Sequence, residues 1–262
     1  MNKYIDISLL VLMLGAFIFT FLIMKDEEKR MNISKLEINI KDGDSIRFVT
    51  VDSITSILKS DSVRNWCTNF STCDTHQIER ILLKLRYVDS VESYKIACGT
   101  LNVDIVQKNI CFRIMSDKGK DLYVDDHLRF IPTANYFAGD VPIVTCDDEF
   151  LTILQESEKK DKKVDKNYYI LHNLLNFVRL VESDPFWKSM IVQINISKSR
   201  ELQLVMRVGT HTAILCDCSD IENFSTYLNK LGGFYTKIVA TGGWGKYKTI
   251  NAKYNNIIVA TK

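Results

Sequence analysis

The longest stretch of the chain without a charged residue spans residues 7–24 and is mainly apolar. Asp6 precedes it and Lys25 follows it. A bilayer core requires about 20 helical residues, so the pattern predicts a transmembrane helix over 7–24 after a short tail at 1–6. A cleaved signal peptide is disfavoured, because bulky residues occupy the end of the stretch where a peptidase requires small ones.

Between residues 35 and 108 the apolar positions change from a strand period to a helix period and back. Alternating Leu36, Ile38 and Ile40 predict a strand, and Thr50 and Asp74 have the character of N-caps for two helices. The second helix has an apolar face formed by Ile78, Ile81, Leu82, Leu85 and Val88. Two further strands, 91–97 and 101–106, follow it. This order predicts a three-stranded sheet with both helices on one face.

From residue 109 onward, short apolar segments predict many strands in a mainly antiparallel arrangement. Apolar residues at helical spacing predict one helix over 167–181 and another over 221–231. The run of charged residues at 156–166 has no periodicity and predicts a solvated loop. The chain closes with two strands, 248–254 and 257–261, on either side of an Asn-Asn turn. The whole pattern predicts an α+β protein.

Composition narrows the function classes. A hydrophobic share of 46% with 25% charged residues is typical of a folded chain, and a net charge of +2 argues against a nucleic-acid binder. The seven cysteines show no repeated spacing that would predict a disulfide framework. Cys67 and Cys73 flank a polar loop and can pair if that loop lies in an oxidising space. Cys216 and Cys218 would share one face of a strand and are too few for a zinc site.

Candidate chemistry is sparse. The glycine-rich segment 242–246 lacks the glycine and the hydroxyl residue that a phosphate-binding loop requires. His211 and Cys216 lie five residues apart on one extended segment, so they would point to opposite faces. The four histidines show no spacing typical of metal ligands. We therefore expect no catalytic residue, no metal and no cofactor, and we expect the protein not to be an enzyme.

Several segments nevertheless resemble parts of known proteins. Residues 88–92, 94–97 and 99–108 resemble the closing part of a POTRA domain, and 112–145 resembles the start of the β domain in the FtsQ/DivIB family of cell-division proteins. Segments near the end look most like the Bacteroidetes version of the family: 184–188, 207–211 and 243–256. The resemblance covers nearly the whole chain, and it depends on the order and spacing of the segments more than on any single motif.

The resemblance implies a bitopic inner-membrane protein. Its cytoplasmic tail is 1–6, its transmembrane helix 7–24, its linker 25–34, its POTRA domain 35–108 and its β domain 109–262. Both domains would be periplasmic and located at the division septum, although the charges flanking the helix do not themselves favour an orientation. The implied function is that of a divisome scaffold that binds FtsB, and FtsL with it, and helps recruit and regulate septal peptidoglycan synthesis. Other division proteins would bind through the POTRA domain.

Two alternatives compete with this scaffold. One is a membrane-anchored POTRA-type assembly or secretion factor, and the other is a tethered envelope enzyme. The first would need several POTRA repeats or a β-barrel, and the second would need a base or a metal site that the sequence does not assemble.

The resemblance also implies where FtsB binds. In the family, the final strands receive a segment of FtsB by β-augmentation, and the family's Arg/Lys-Tyr pair corresponds here to Lys253 and Tyr254. We expect Tyr254 to be the aromatic anchor and Lys253 to face acidic residues of the partner. The other expected contacts are Asn256, Ile257, Ile258, Val259 and Ala260. The alternative for Tyr254 is that it fills the core of the β domain.

Overall fold

The computed structural model describes residues 2–262 except 42–47, 61–66, 97–98, 134–138, 159–164, 241–244 and 255–256. The chain divides into two compact units, Met1–Lys108 and Asn109–Lys262. The helices are α1 (Asn2–Arg30), α2 (Val51–Leu58), α3 (Thr75–Leu82), α4 (Asp148–Glu158), α5 (Lys166–Ser183), α6 (Pro185–Met190) and α7 (Phe224–Ala240). The strands are β1 (Lys35–Lys41), β2 (Val88–Ile96), β3 (Thr100–Gln107), β4 (Ile110–Ser116), β5 (Asp121–Asp125), β6 (Phe130–Pro132), β7 (Ile143–Cys146), β8 (Ile191–Ile196), β9 (Glu201–Met206), β10 (Thr212–Asp217), β11 (Thr249–Asn251) and β12 (Val259–Thr261).

The predicted transmembrane helix requires correction. Among the residues that the structure describes, no helix combines the length and the apolar character needed to span a membrane. Residues 7–24 lie within helix α1. The prediction of a transmembrane helix is therefore wrong.

The first unit has the predicted strand–helix–helix–strand–strand order. Its sheet has the order β1-β3-β2, with β1 parallel and β2 antiparallel to the central strand β3. Thr50 and Asp74 cap α2 and α3, as predicted, because each side chain accepts a hydrogen bond from a backbone N–H of its helix. The buried apolar side chains come from both helices and from the central strand: Ile54, Leu58, Ile78, Leu82, Leu101, Val103 and Ile105.

Helix α3 is shorter than its apolar period predicts. It ends at Leu82, and Val88, expected on the same helical face, instead begins β2. Val88 is still buried. Apolar periodicity therefore identified a residue of the core but extended the helix too far, because a turn between Leu82 and Val88 continues the buried face.

Gly99, immediately before β3, contacts the segment that precedes β1. Its φ is +75°, and a Cβ atom at this position would lie 2.4 Å from the carbonyl oxygen of Asn32. The Gly99 carbonyl accepts a hydrogen bond of 2.9 Å from the N–H of Ser34. Only glycine satisfies both the left-handed backbone and this close approach.

A disulfide between Cys67 and Cys73 closes the loop between the two helices, so the pairing that the sequence left open is present. The loop also pairs with the segment before β1, since the N–H of Ile33 donates to the carbonyl of Thr68 at 2.9 Å. On the other side, the Lys95 ammonium donates to the carbonyl of Cys73 at 3.2 Å. The disulfide therefore holds a loop that both the entry segment and β2 contact.

Replacing both Cys67 and Cys73 with serine should lower the free energy of unfolding of the first unit by about 2 kcal/mol. The expected size follows from the loop entropy that a short disulfide loop removes from the unfolded chain. Denaturation with and without a thiol reductant measures the effect: reductant should destabilise the parent chain and leave the double variant unchanged. Cys111→Ser, at a free cysteine of the second unit, is the control. Equal sensitivity of parent and variant to reductant would contradict the prediction.

The second unit contains one nine-stranded sheet with the order β12-β11-β10-β9-β8-β7-β4-β5-β6. Five neighbouring pairs are antiparallel, and three are parallel: β4 with β7, β7 with β8, and β10 with β11. The predicted α+β class and the mainly antiparallel arrangement are therefore confirmed. The predicted strands at 248–254 and 257–261 are observed as the shorter pair β11 and β12 at one edge.

Helices cover one face of this sheet. In β9, Leu202, Leu204 and Met206 are buried, whereas Gln203 between them is only half-buried. The core also takes side chains from each of the α-helices described in this unit, among them Leu151, Leu174, Trp187 and Leu231. Alternation of buried and exposed positions is typical of a sheet with helices on one side only.

Two helices of this unit were not predicted. Helix α4 includes Glu156, where the charge run suggested a loop, and its buried Leu151 and Leu154 precede that run. Helix α6 begins with Pro185 after Asp184, whose carboxylate accepts hydrogen bonds from the N–H groups of the next turn. Short helices carry little periodicity, so their existence depends on the core that they cover.

Candidate partner-binding site

The pair β11–β12 forms one edge of the large sheet. Strand β11 pairs in parallel with β10, and β12 pairs antiparallel with β11 through Thr249↔Thr261, Ile250↔Ala260 and Asn251↔Val259. Ile250 is buried, so the inner strand of the pair is anchored in the core. The outer strand β12 has no further strand beside it among the described residues.

Side chains along this edge alternate between the core and the solvent. Ile258 and Ala260 are half-buried and pack against the core. By contrast, Ile257 is 57% exposed, Val259 is 41% exposed and Tyr254 is 46% exposed. We call these three exposed side chains the edge triplet. The exposure of Tyr254 is not that of a residue that fills a core.

Lys253, next to the edge triplet, is bound within the chain. Its ammonium lies 2.6 Å from Oε1 of Glu201 on β9 and 3.5 Å from Oδ1 of Asp217 on β10. The hydrogen bond to Glu201 raises the pKa of the Lys253 ammonium, and the same bond lowers the pKa of the Glu201 carboxyl. The pair thus stabilises the fold at neutral pH. That stabilisation is lost as the pH falls through the lowered pKa of Glu201, below its usual value of about 4.3.

Lys230, on α7, binds the same segment from another direction. Its ammonium donates to the Tyr254 carbonyl at 2.6 Å, and it lies 5.0 Å from the ring centroid of Tyr227. Burial lowers the pKa of this ammonium. The segment 253–254 is therefore held by the Lys253 and Lys230 side chains, while the Tyr254 ring stays exposed. Asn256, the remaining predicted contact, lies outside the described residues.

Asp125, Asp126 and His127 offer a group of ligand atoms within 4.8 Å of one another. The Asp125 carboxylate, however, accepts hydrogen bonds from the N–H groups of His127 and Arg129 at 3.0 and 2.8 Å and pairs with the Arg129 Nε at 2.6 Å. Its oxygens are engaged in closing the turn after β5. These hydrogen bonds give Asp125 a structural role in the turn, which accounts for the closeness of the three residues without a metal ion.

His211, of the thiol–histidine pair considered in the sequence, contacts a tyrosine of helix α7. His211 is buried, and its Nε2 lies 2.8 Å from the hydroxyl of Tyr235. Burial raises the pKa of the Cys216 thiol, and it raises the pKa of Cys146 and of Cys218 to about 12. These three thiols therefore remain protonated at neutral pH, and a protonated thiol is a poor nucleophile.

The contacts that shape the edge were not found by sequence reasoning. Glu201 is 52 residues from Lys253, and Lys230 is 24 residues from Tyr254. A single sequence contains no local signal for such pairs. The strand order β11-β10-β9 and the position of α7 bring these residues together.

Comparison with known protein families gives two matches. A family model described as FtsQ/DivIB, C-terminal related, matches residues 111–261, and a model described as a POTRA-like domain matches residues 31–106. Comparison with curated proteins gives no significant match. The two matched ranges fall within the two compact units, one in each.

Proposed function

Because the chain belongs to the FtsQ/DivIB family, we propose that it is a non-enzymatic scaffold of the cell-division machinery that binds FtsB, and FtsL with it, at the edge strand β12. The observation that carries this proposal is the edge triplet beside a strand that has only one described neighbour. In such a complex, the protein helps to recruit and regulate septal peptidoglycan synthesis.

Strand addition is the binding mode that suits this edge. An extended peptide beside β12 would form main-chain hydrogen bonds, and its side chains would contact Tyr254, Ile257 and Val259. Exposed apolar side chains along an edge strand are uncommon in proteins that keep their edges unpaired, because such edges promote association. A partner strand that covers the edge triplet would prevent non-specific association at this edge.

The opposite edge of the same sheet is less suitable. Strand β6 is the last strand on that side, and it ends with Pro132, which has no N–H to donate. Proline is one of the devices that block strand addition at an edge. Strand β12 contains no proline. The contrast supports β12 as the edge that receives a partner.

The first unit is proposed to contact other division proteins. Tyr94 and Ile96, on its edge strand β2, are 43% and 41% exposed. Exposed apolar side chains beside an edge strand support docking of a further protein at this unit.

We place both units outside the cytoplasm, at the division septum. The support is the disulfide between Cys67 and Cys73, since disulfides persist in oxidising compartments and are rare in the cytosol. The free cysteines Cys146, Cys216 and Cys218 are buried, which protects them from oxidation in such a compartment.

Binding of the purified full-length chain to FtsB and FtsL from the same organism tests the proposal. We expect a complex that stays together in size-exclusion chromatography and has a dissociation constant in the micromolar range or below, as is usual for specific interfaces. FtsB alone should bind, and FtsL alone should not. If the folded chain binds neither FtsB nor the FtsB–FtsL pair, the proposed function is wrong.

A further inference from the structure

The Lys253 side chain connects the edge of the large sheet with its interior. Lys253 follows β11, whereas its partners Glu201 and Asp217 belong to β9 and β10. Lys253 and Glu201 are 24% and 18% exposed, so the pair is largely shielded from solvent. A largely shielded, hydrogen-bonded ion pair is stronger than an exposed one, because water and salt screen it less.

The backbone around Lys253 is held as tightly as its side chain. The N–H of Lys253 donates to Oδ1 of Asn251 at 3.1 Å, and the next carbonyl, that of Tyr254, accepts from Lys230 at 2.6 Å. The N–H of Ala252 donates to the Ile214 carbonyl at 2.8 Å. Ala252, Lys253 and Tyr254 are thus fixed to the sheet and to α7.

We infer that Lys253 is a positioning residue that holds Tyr254 and the edge strand in place, and that the partner strand is recognised through apolar side chains and its backbone rather than through a carboxylate facing Lys253. The second part of this inference rests on the proposed function. The first part concerns the chain alone.

Charge balance supports this role. The Lys253 ammonium already lies near two carboxylates, at 2.6 Å from Glu201 and 3.5 Å from Asp217. A partner carboxylate at the third N–H of the ammonium would lie beside both of them, and repulsion between like charges would offset most of the attraction that it gains. The large apolar or aromatic side chains exposed at this edge are Tyr254, Ile257 and Val259, which are uncharged.

Hydrogen exchange in the free, full-length chain tests the positioning role. Lys253→Met and Glu201→Gln should each raise the exchange rate of amides in 249–254 and 259–261 by about fivefold, the factor that corresponds to losing about 1 kcal/mol. Lys248→Met is the matched control, because Lys248 is exposed and has no ion-pair partner among the described residues. Its effect should stay within about twofold. Unchanged exchange in both Lys253→Met and Glu201→Gln would overturn the positioning role.

Binding of FtsB by the same variants tests the partner chemistry. If Lys253 positions the edge, both Lys253→Met and Glu201→Gln weaken binding by a similar factor, and neither changes how affinity depends on salt. If Lys253 instead meets a partner carboxylate, Glu201→Gln frees the ammonium and strengthens binding, while Lys253→Met weakens binding and flattens its salt dependence. That opposite pattern would refute the inferred partner chemistry.

The two measurements separate two different failures. Absence of FtsB binding to the parent chain would reject the proposed function, and hydrogen exchange would still decide whether Lys253 positions the edge. Normal binding together with unchanged exchange would keep the proposed function and reject the inference.

Discussion

Leu82→Ala is expected to lower the free energy of unfolding of the first unit by about 2–5 kcal/mol. Leu82 is completely buried at the end of α3, so removing three side-chain carbons loses transfer free energy and leaves a cavity. Urea denaturation, followed through hydrogen exchange of peptides from 31–108, measures this unit separately from the second one. Loss of stability should be confined to those peptides.

Leu83→Ala is the matched control for this prediction. It is the same substitution at the adjacent residue, which is 47% exposed, so its cost should be below about 1 kcal/mol. Lys84→Ala, also at an exposed position, should be nearly neutral. Equal destabilisation by the leucine substitutions at 82 and 83 would mean that α3 presents a different face to the sheet.

Tyr254→Ala is expected to weaken FtsB binding by about 30-fold or more while leaving the fold intact. Tyrosines at the centre of an interface frequently contribute 2 kcal/mol or more to binding. Because Tyr254 is 46% exposed in the free chain, its removal should change the melting temperature by only a few degrees. Isothermal titration calorimetry and a thermal melt of the full-length chain measure the two effects.

Two further variants show whether the effect belongs to the β12 edge. Val259→Lys places a charge on the outward face of β12 and should block strand addition, since edge lysines oppose it. Tyr94→Ala removes a tyrosine of similar exposure, 43%, from the other unit and should leave FtsB binding unchanged. Folded Tyr254→Ala and Val259→Lys variants that bind FtsB normally would show that the partner lies elsewhere.

Predictions from local sequence signals were the ones that the structure confirmed. N-caps at Thr50 and Asp74 depend on a side chain and an N–H only three residues away. The β-α-α-β-β order follows from apolar periods over a few turns, and residues buried in both units are those that the pattern assigned to the core, such as Ile78 and Leu174. Membership of the FtsQ/DivIB family, first indicated by resemblance, is shown by the family match.

Predictions that depended on length or on distant contacts were less accurate. The charge-free stretch 7–24 suggested a transmembrane helix, and the structure does not support it. Helix α4 was missed because the charges that end it dominate the local pattern. The predicted binding residues at 253–260 were placed by resemblance alone, and their role in binding stays a prediction.

The protein family and the presence of two terminal strands follow from the amino-acid sequence without the fold. The sequence predicted a strand over 257–261, and the two-residue repeat of a strand explains why Ile257 and Val259 are exposed while Ile258 and Ala260 are half-buried. Tertiary structure alone decided that β12 lies at the edge of a nine-stranded sheet and that Lys253 meets Glu201. Strand order and long-range ion pairs join residues far apart in the chain, and their free energy arises only when the sheet assembles.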